Sequence, residues 1–146
     1  MGYYLQAVIG RELARHASAF RSARVVPLEQ GVDMIPVTDE LHQEIGSGDE
    51  LPRFEKLSPK VQEWVGRISV AGPVAYVEAE FFGGLGGQAA VAWSEGSQSL
   101  GPIHAADAIN QALRILGVRP DGAHDEFDAV GLGRHRNTAA WIPRAT

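Results

Sequence analysis

Two carboxylates set two residues apart, Glu78 and Glu80 in VAYVEAEFF, are the side chains of this sequence best placed to do chemistry. On a strand, residues i and i+2 share a face, and their Cα atoms lie roughly 7 Å apart. A pair so placed can be the wet side of an amphipathic strand. It can form an acidic surface that recognises a basic partner. It can also act as general acid and base, provided burial or mutual repulsion separates the two pKa values. The residues alone leave these uses open.

A second chemical stretch is Gly131-Leu132-Gly133-Arg134-His135-Arg136. Guanidinium groups bind carboxylates and phosphates through paired N–H donors, so Arg134, His135 and Arg136 are candidate anion-binding residues. Equally, exposed arginines pair loosely with neighbouring acids and do nothing more. Brought against Glu78 or Glu80, this loop would complete a small-molecule-binding or hydrolytic site.

Other motifs are excluded by their context. The stretch GGLGG at 83–87 is followed by Gln88 and Ala89, not by the Lys and Ser/Thr of a P-loop. A strand rather than a helix follows it, which a dinucleotide fingerprint does not allow. Its glycines suit a wide hairpin loop with positive φ. The histidines His16, His42, His104 and His124 show no HExxH spacing, and there is no GxSxG elbow. Zero cysteines leave no thiol chemistry. No catalytic set, metal or cofactor is therefore assigned.

Periodicity places the elements that must hold these residues. Strands are expected at 3–9, 24–28, 32–37, 74–82 and 88–93, and helices at 11–21, 38–45, 58–68 and 103–116. Thr38 and Ser58-Pro59 are helix starts, and Gly117 a helix stop. Val61, Trp64, Val65 and Ile68 form an apolar helix stripe. A hairpin centred on Leu85 sets Phe81 against Ala89, Ala79 against Val91 and Val77 against Trp93. That apolar face should meet helices, while Glu78 lies opposite Ala92 and Glu80 opposite Ala90. The whole reads as one α+β domain, residues 1–146, with a mostly antiparallel sheet and helices packed on one face.

The charges are unevenly placed. The net charge is -5, and Asp33 to Glu63 holds eight acids against Arg53, Lys56 and Lys60. An acidic middle argues against nucleic acid as a partner and suits a protein with a basic surface. No long apolar run and no basic-plus-apolar leader occur, so neither a membrane span nor a signal peptide is expected, and the expected location is the cytoplasm. A monomer is expected, or a homodimer if hairpin edges pair.

In its size, its acidic 33–63 segment and its VEAEFFGGLGGQ hairpin, the chain resembles the small acidic immunity proteins of bacterial polymorphic toxin systems. That resemblance implies a non-enzymatic protein that binds a toxin tightly and blocks its active site. The contacts to a basic partner would then come from Glu78, Glu80, Asp39, Glu40 and Glu44, with Phe82 and Leu85 as apolar anchors.

Overall fold

The computed structural model describes residues 2–82 and 85–142. Its strands are Tyr3–Gly10 (β1), Val26–Pro27 (β2), Asp33–Pro36 (β3), Val74–Phe82 (β4), Leu85–Ser94 (β5) and Ser97–Ala105 (β6). They form one sheet in the order β2-β3-β1-β4-β5-β6, antiparallel at each pairing. The helices are Ala14–Ala17 (α1), Asp39–Ile45 (α2), Pro59–Ile68 (α3), Ala108–Ile115 (α4) and Glu126–Val130 (α5). The α+β class with a single antiparallel sheet is as the residues imply.

Local chemistry sets the helix boundaries. Thr38 and Ser58 accept the N–H groups of Leu41 and Val61, which opens α2 and α3. Gly117, at φ 85°, closes α4: its N–H donates to Arg114 and that of Val118 to Leu113, the paired bonds of a Schellman end. The start of α4 is capped from the sheet, where the side-chain oxygen of Gln88 accepts the Ile109 N–H at 2.9 Å.

The expected helix at 103–116 begins later than its apolar spacing suggests. Ile103, His104 and Ala105 belong to β6, an edge strand whose Ser, Gln, Gly and Pro content hides its strand character. The expected helix at 11–21 is a single turn.

The central hairpin has a different register. Phe82 pairs directly with Leu85, so only residues 83 and 84, which lie outside the described residues, separate β4 from β5. In place of the wide glycine loop, Gly86 already lies in the strand. A side chain there would collide with the carbonyl of Glu80, so the position requires glycine. Glu78 consequently faces Ala89 rather than Ala92, and Glu80 faces Gly87 rather than Ala90. A shift by an odd number of residues exchanges the faces of one strand relative to the other. Ala89, Val91 and Trp93 therefore lie on the side of Tyr76 and Glu78, and Ala90 and Ala92 on the side of Val77 and Ala79.

Both sides of the sheet carry helices, one layer more than the one-face arrangement expected. On one side Leu5, Ile9, Val77 and Ala90 pack with Ile109, Leu113, Leu132 and Trp141. On the other, Val8, Ile35, Tyr76 and Val91 pack with Leu41, Val61, Trp64 and Val65. The physical reason is the sheet's composition. Strands β1, β4 and β5 are apolar on both faces over most of their length, and each face must be covered.

Candidate functional site

The face of β4 that carries Glu78 and Glu80 is built from cross-strand pairs. Tyr4 lies opposite Glu80, Gln6 opposite Glu78, and Val8 opposite Tyr76. The alternation of β1 thus places Tyr4 and Gln6 beside the two carboxylates, a row of polar groups on a face that is otherwise apolar. Over this row runs the segment between α2 and α3, and between them lies a cavity of about 390 Å³. Glu78, Glu80, Tyr4 and Gln6 line it from the sheet, Arg53, Phe54 and Glu55 from the overlying segment, and His104 from β6.

Glu78 is 7% exposed. Its carboxylate accepts the Glu55 N–H at 2.8 Å, the Lys56 N–H at 2.9 Å and the Tyr76 hydroxyl at 2.6 Å. Burial holds its pKa above the usual carboxylate range, against the lowering effect of those donors. Burial and the neighbouring Glu78 charge together push the Tyr76 hydroxyl far above its ordinary value. Glu78 as a direct contact to a partner's surface is therefore corrected: in this fold the segment covers it and uses its lone pairs.

Glu80 is exposed at the cavity rim, which Glu55 also lines. Partial burial at the rim, then the like charge of Glu55, raises its pKa. The Tyr4 hydroxyl donates to Glu55 Oε2, and burial, reinforced by that bond, raises the hydroxyl's pKa. Among the described residues no Lys, Arg or His forms an ion pair with Glu55 or Glu80. Glu55, Tyr4, Gln6 and His104 were not singled out from the sequence. The polar Gln6 inside the apolar run YYLQAVIG was the available signal; Glu55 lies in a segment without periodicity, and His104 reads as helical.

The remaining sequence candidates fall elsewhere. Phe82 is 58% exposed at the hairpin end, and Leu85 pairs with it through the backbone. Asp39 is exposed and meets Lys56 Nζ at 3.2 Å, which ties it to the segment over Glu78. Glu40 and Glu44 line a different surface, with Arg21 and Gln43. Glu44 accepts the N–H groups of Arg21 and Ser22, and the Ser22 bond leads in lowering its pKa. The acids expected on one partner surface are thus divided into two patches.

Arg134, His135 and Arg136 are exposed, and none of them lines the cavity of Glu78 and Glu80. Arg134 reaches the carbonyls of Val130 and Gly131 at the end of α5 and sits over Trp141 at 5.6 Å. The His135 ring meets Trp141 edge-on at 4.7 Å. The Arg136 carbonyl accepts the Tyr4 N–H at 2.8 Å, fastening this stretch to β1. These contacts give the stretch a packing role apart from the carboxylate pair.

Among the described residues no group of three or more His, Asp or Glu side chains is placed to hold a metal ion. No described helix is long and apolar enough to cross a membrane. No protein-family model, no curated protein and no solved structure matches the chain.

Proposed function

We propose that this protein is a non-enzymatic binding module whose acidic cavity receives a cationic group from a basic protein. The observation that carries the reading is that Glu55 and Glu80 line one cavity with no cation paired to either among the described residues. Like charges held together raise the free energy of the unbound state, and a guanidinium or ammonium group between them relieves it. The exposed ring of Phe82 on the adjoining hairpin supplies an apolar contact beside the charged one. Neutralisation of a bacterial toxin, the activity implied by the resemblance to immunity proteins, is the specific form this binding would take.

The test is a pull-down from the native lysate with the wild-type chain and with a Glu55→Lys/Glu80→Lys double variant. The expected result is stoichiometric recovery of one basic protein by the wild type and its loss from the double variant. Equal recovery by both chains would remove the cavity from the interface.

A hydrolytic reading is favoured by one observation, the contact of Tyr4 with Glu55 next to the raised Glu80 carboxyl, an arrangement suited to acid/base work. It uses Glu80 with Glu55 rather than Glu80 with Arg134–Arg136. The mass of the captured partner separates the readings: an unaltered partner supports binding, a cleaved one supports hydrolysis.

A further inference from the structure

The end of the sheet opposite the acidic cavity holds a second cavity of opposite character. Strand β1 runs from Tyr4, paired with Glu80, to Gly10, paired with Val74, roughly 20 Å further on. There the turn after β1, the first residues of α1, the turn between α3 and β4 and the end of α4 surround a cavity of about 240 Å³. Sites for drug-sized ligands run from about 300 to 1,000 Å³, so this one suits a smaller molecule.

Its walls divide by chemistry. Leu13, Ile68 and Leu116, all buried, line it together with Ala71 and Pro73. Arg11, Arg15 and His16 supply the polar wall, and Glu12 is the one acid of the lining. The α3–β4 turn and the end of α4 bring no titratable group to it. Asp33, the acid bonded to this turn from β3, accepts the Leu13 N–H at 3.3 Å.

The positive charge of this wall is not neutralised. The Arg11 guanidinium donates to the Gln30 carbonyl at 2.7 Å and to the Leu116 carbonyl at 3.1 Å. Those acceptors are neutral: they fix the group in place and leave its charge without a counter-ion. A guanidinium has five N–H donors, so Arg11 keeps some to spare. Among the described residues no acid forms an ion pair with Arg11, Arg15 or His16. Burial, then the Arg15 charge, holds the His16 pKa below its ordinary value. Fastening α4 to the end of β1 explains Arg11; it does not explain why Arg15 and His16 share its cavity.

We infer that this cavity binds a small organic carboxylate with an apolar body. The carboxylate lies against Arg15 and the spare donors of Arg11, beside the His16 ring, and the body lies against Leu13, Ile68, Pro73 and Leu116. A phosphate ion gains nothing from the apolar wall, and an uncharged apolar molecule gains nothing from the guanidinium groups. The site is separate from the acidic cavity and does not rest on the proposed function.

The experiment is an NMR titration of the intact chain with sodium benzoate as the probe, at constant ionic strength. Saturable shifts are expected at the His16 ring and the Gly72 amide. The titration midpoint of His16 should rise in the bound protein, because a carboxylate favours the imidazolium. By linkage, binding should tighten as pH falls through that midpoint. Arg15→Gln, a change at an exposed side chain, should weaken binding about tenfold and leave the Val77 amide signal unmoved. Benzamide, which lacks the charge, and inorganic phosphate, which lacks the apolar body, should give no saturable shift. Shifts that grow linearly with benzoate, or equal shifts from benzamide, would overturn the site. Equal binding by phosphate would overturn its assignment to a carboxylate. Benzoate affinity unchanged by Arg15→Gln, or a His16 midpoint that stays where it was, would place the probe elsewhere and overturn the inference as well.

Discussion

Glu126 and Glu78 are both buried carboxylates, one on each side of the same sheet, and their ionisation is pushed in opposite directions. Glu126 meets the Arg114 guanidinium at 2.8 Å, and that bond leads in lowering its pKa. Glu78 meets two amides and a hydroxyl, none of them a cation, and burial wins, so its pKa rises. The first joins two helices by a finished ion pair. The second is satisfied by neutral donors alone, two backbone amides of the overlying segment and the hydroxyl of Tyr76 on its own strand. The surroundings follow the same division. The α4 side is a dry layer of small strand residues under Ile109 and Leu113, whereas the other side interrupts its apolar packing with the row from Tyr4 to Tyr76.

This contrast can be broken from either side. The largest effect is expected on the dry side, where Leu113→Ala should cost about 3 kcal/mol in urea unfolding, lost from every part of the sheet alike. Glu78→Ala should cost less, about 2 kcal/mol, because it removes the shared acceptor of the Glu55 and Lys56 amides and the Tyr76 hydroxyl but leaves Phe54 and Leu57 packed in the core. Hydrogen exchange should then accelerate at residues 54–57 and hardly at all at Val77. A uniform acceleration would place the two sides in one cooperative unit and erase the distinction.

The smallest effect sharpens the electrostatics of the rim. Because the folded-state pKa of Glu80 lies above its unfolded value, its contribution to stability is fully present below about pH 4.3 and is lost as pH rises through the raised value. Glu80→Gln stays neutral throughout, so the variant should melt at a higher temperature than wild type at neutral pH and at the same temperature in acid. A melting difference independent of pH would show that Glu55 and Glu80 do not repel each other in the folded protein.

The α+β class, the helix caps at Thr38 and Ser58, the Gly117 stop and the stripe of α3 follow from short-range rules, and the residues carrying them could be read directly from the chain. The hairpin register could not. Five consecutive positions of glycine and leucine accept either a wide loop or continued strands, and the choice between them turns on an odd-numbered shift that sends Ala89, Val91 and Trp93 to the opposite face. The site suffered from the same limit. Glu78 and Glu80 were identifiable by spacing, but what surrounds them comes from a loop without periodicity and from a strand 70 residues earlier. Whether a carboxylate is wet or covered is decided by such distant segments, so Glu78 reads as exposed in isolation and is buried in the fold.

Ser58 holds two bonds that are ordinarily separate, one starting α3 and one closing the loop onto Gly46. The base of the loop is therefore fixed from both ends, while Phe54 and Leu57 anchor its far half in the core beside Tyr76 and Val61. The exposed positions, Ser47, Gly48, Asp49, Pro52, Arg53 and Glu55, behave as a cassette: replacements there inherit a seated helix and a closed base, and bring their own side chains to the surface. The side chains that the loop brings to the cavity rim can thus be exchanged while the sheet beneath stays as it is.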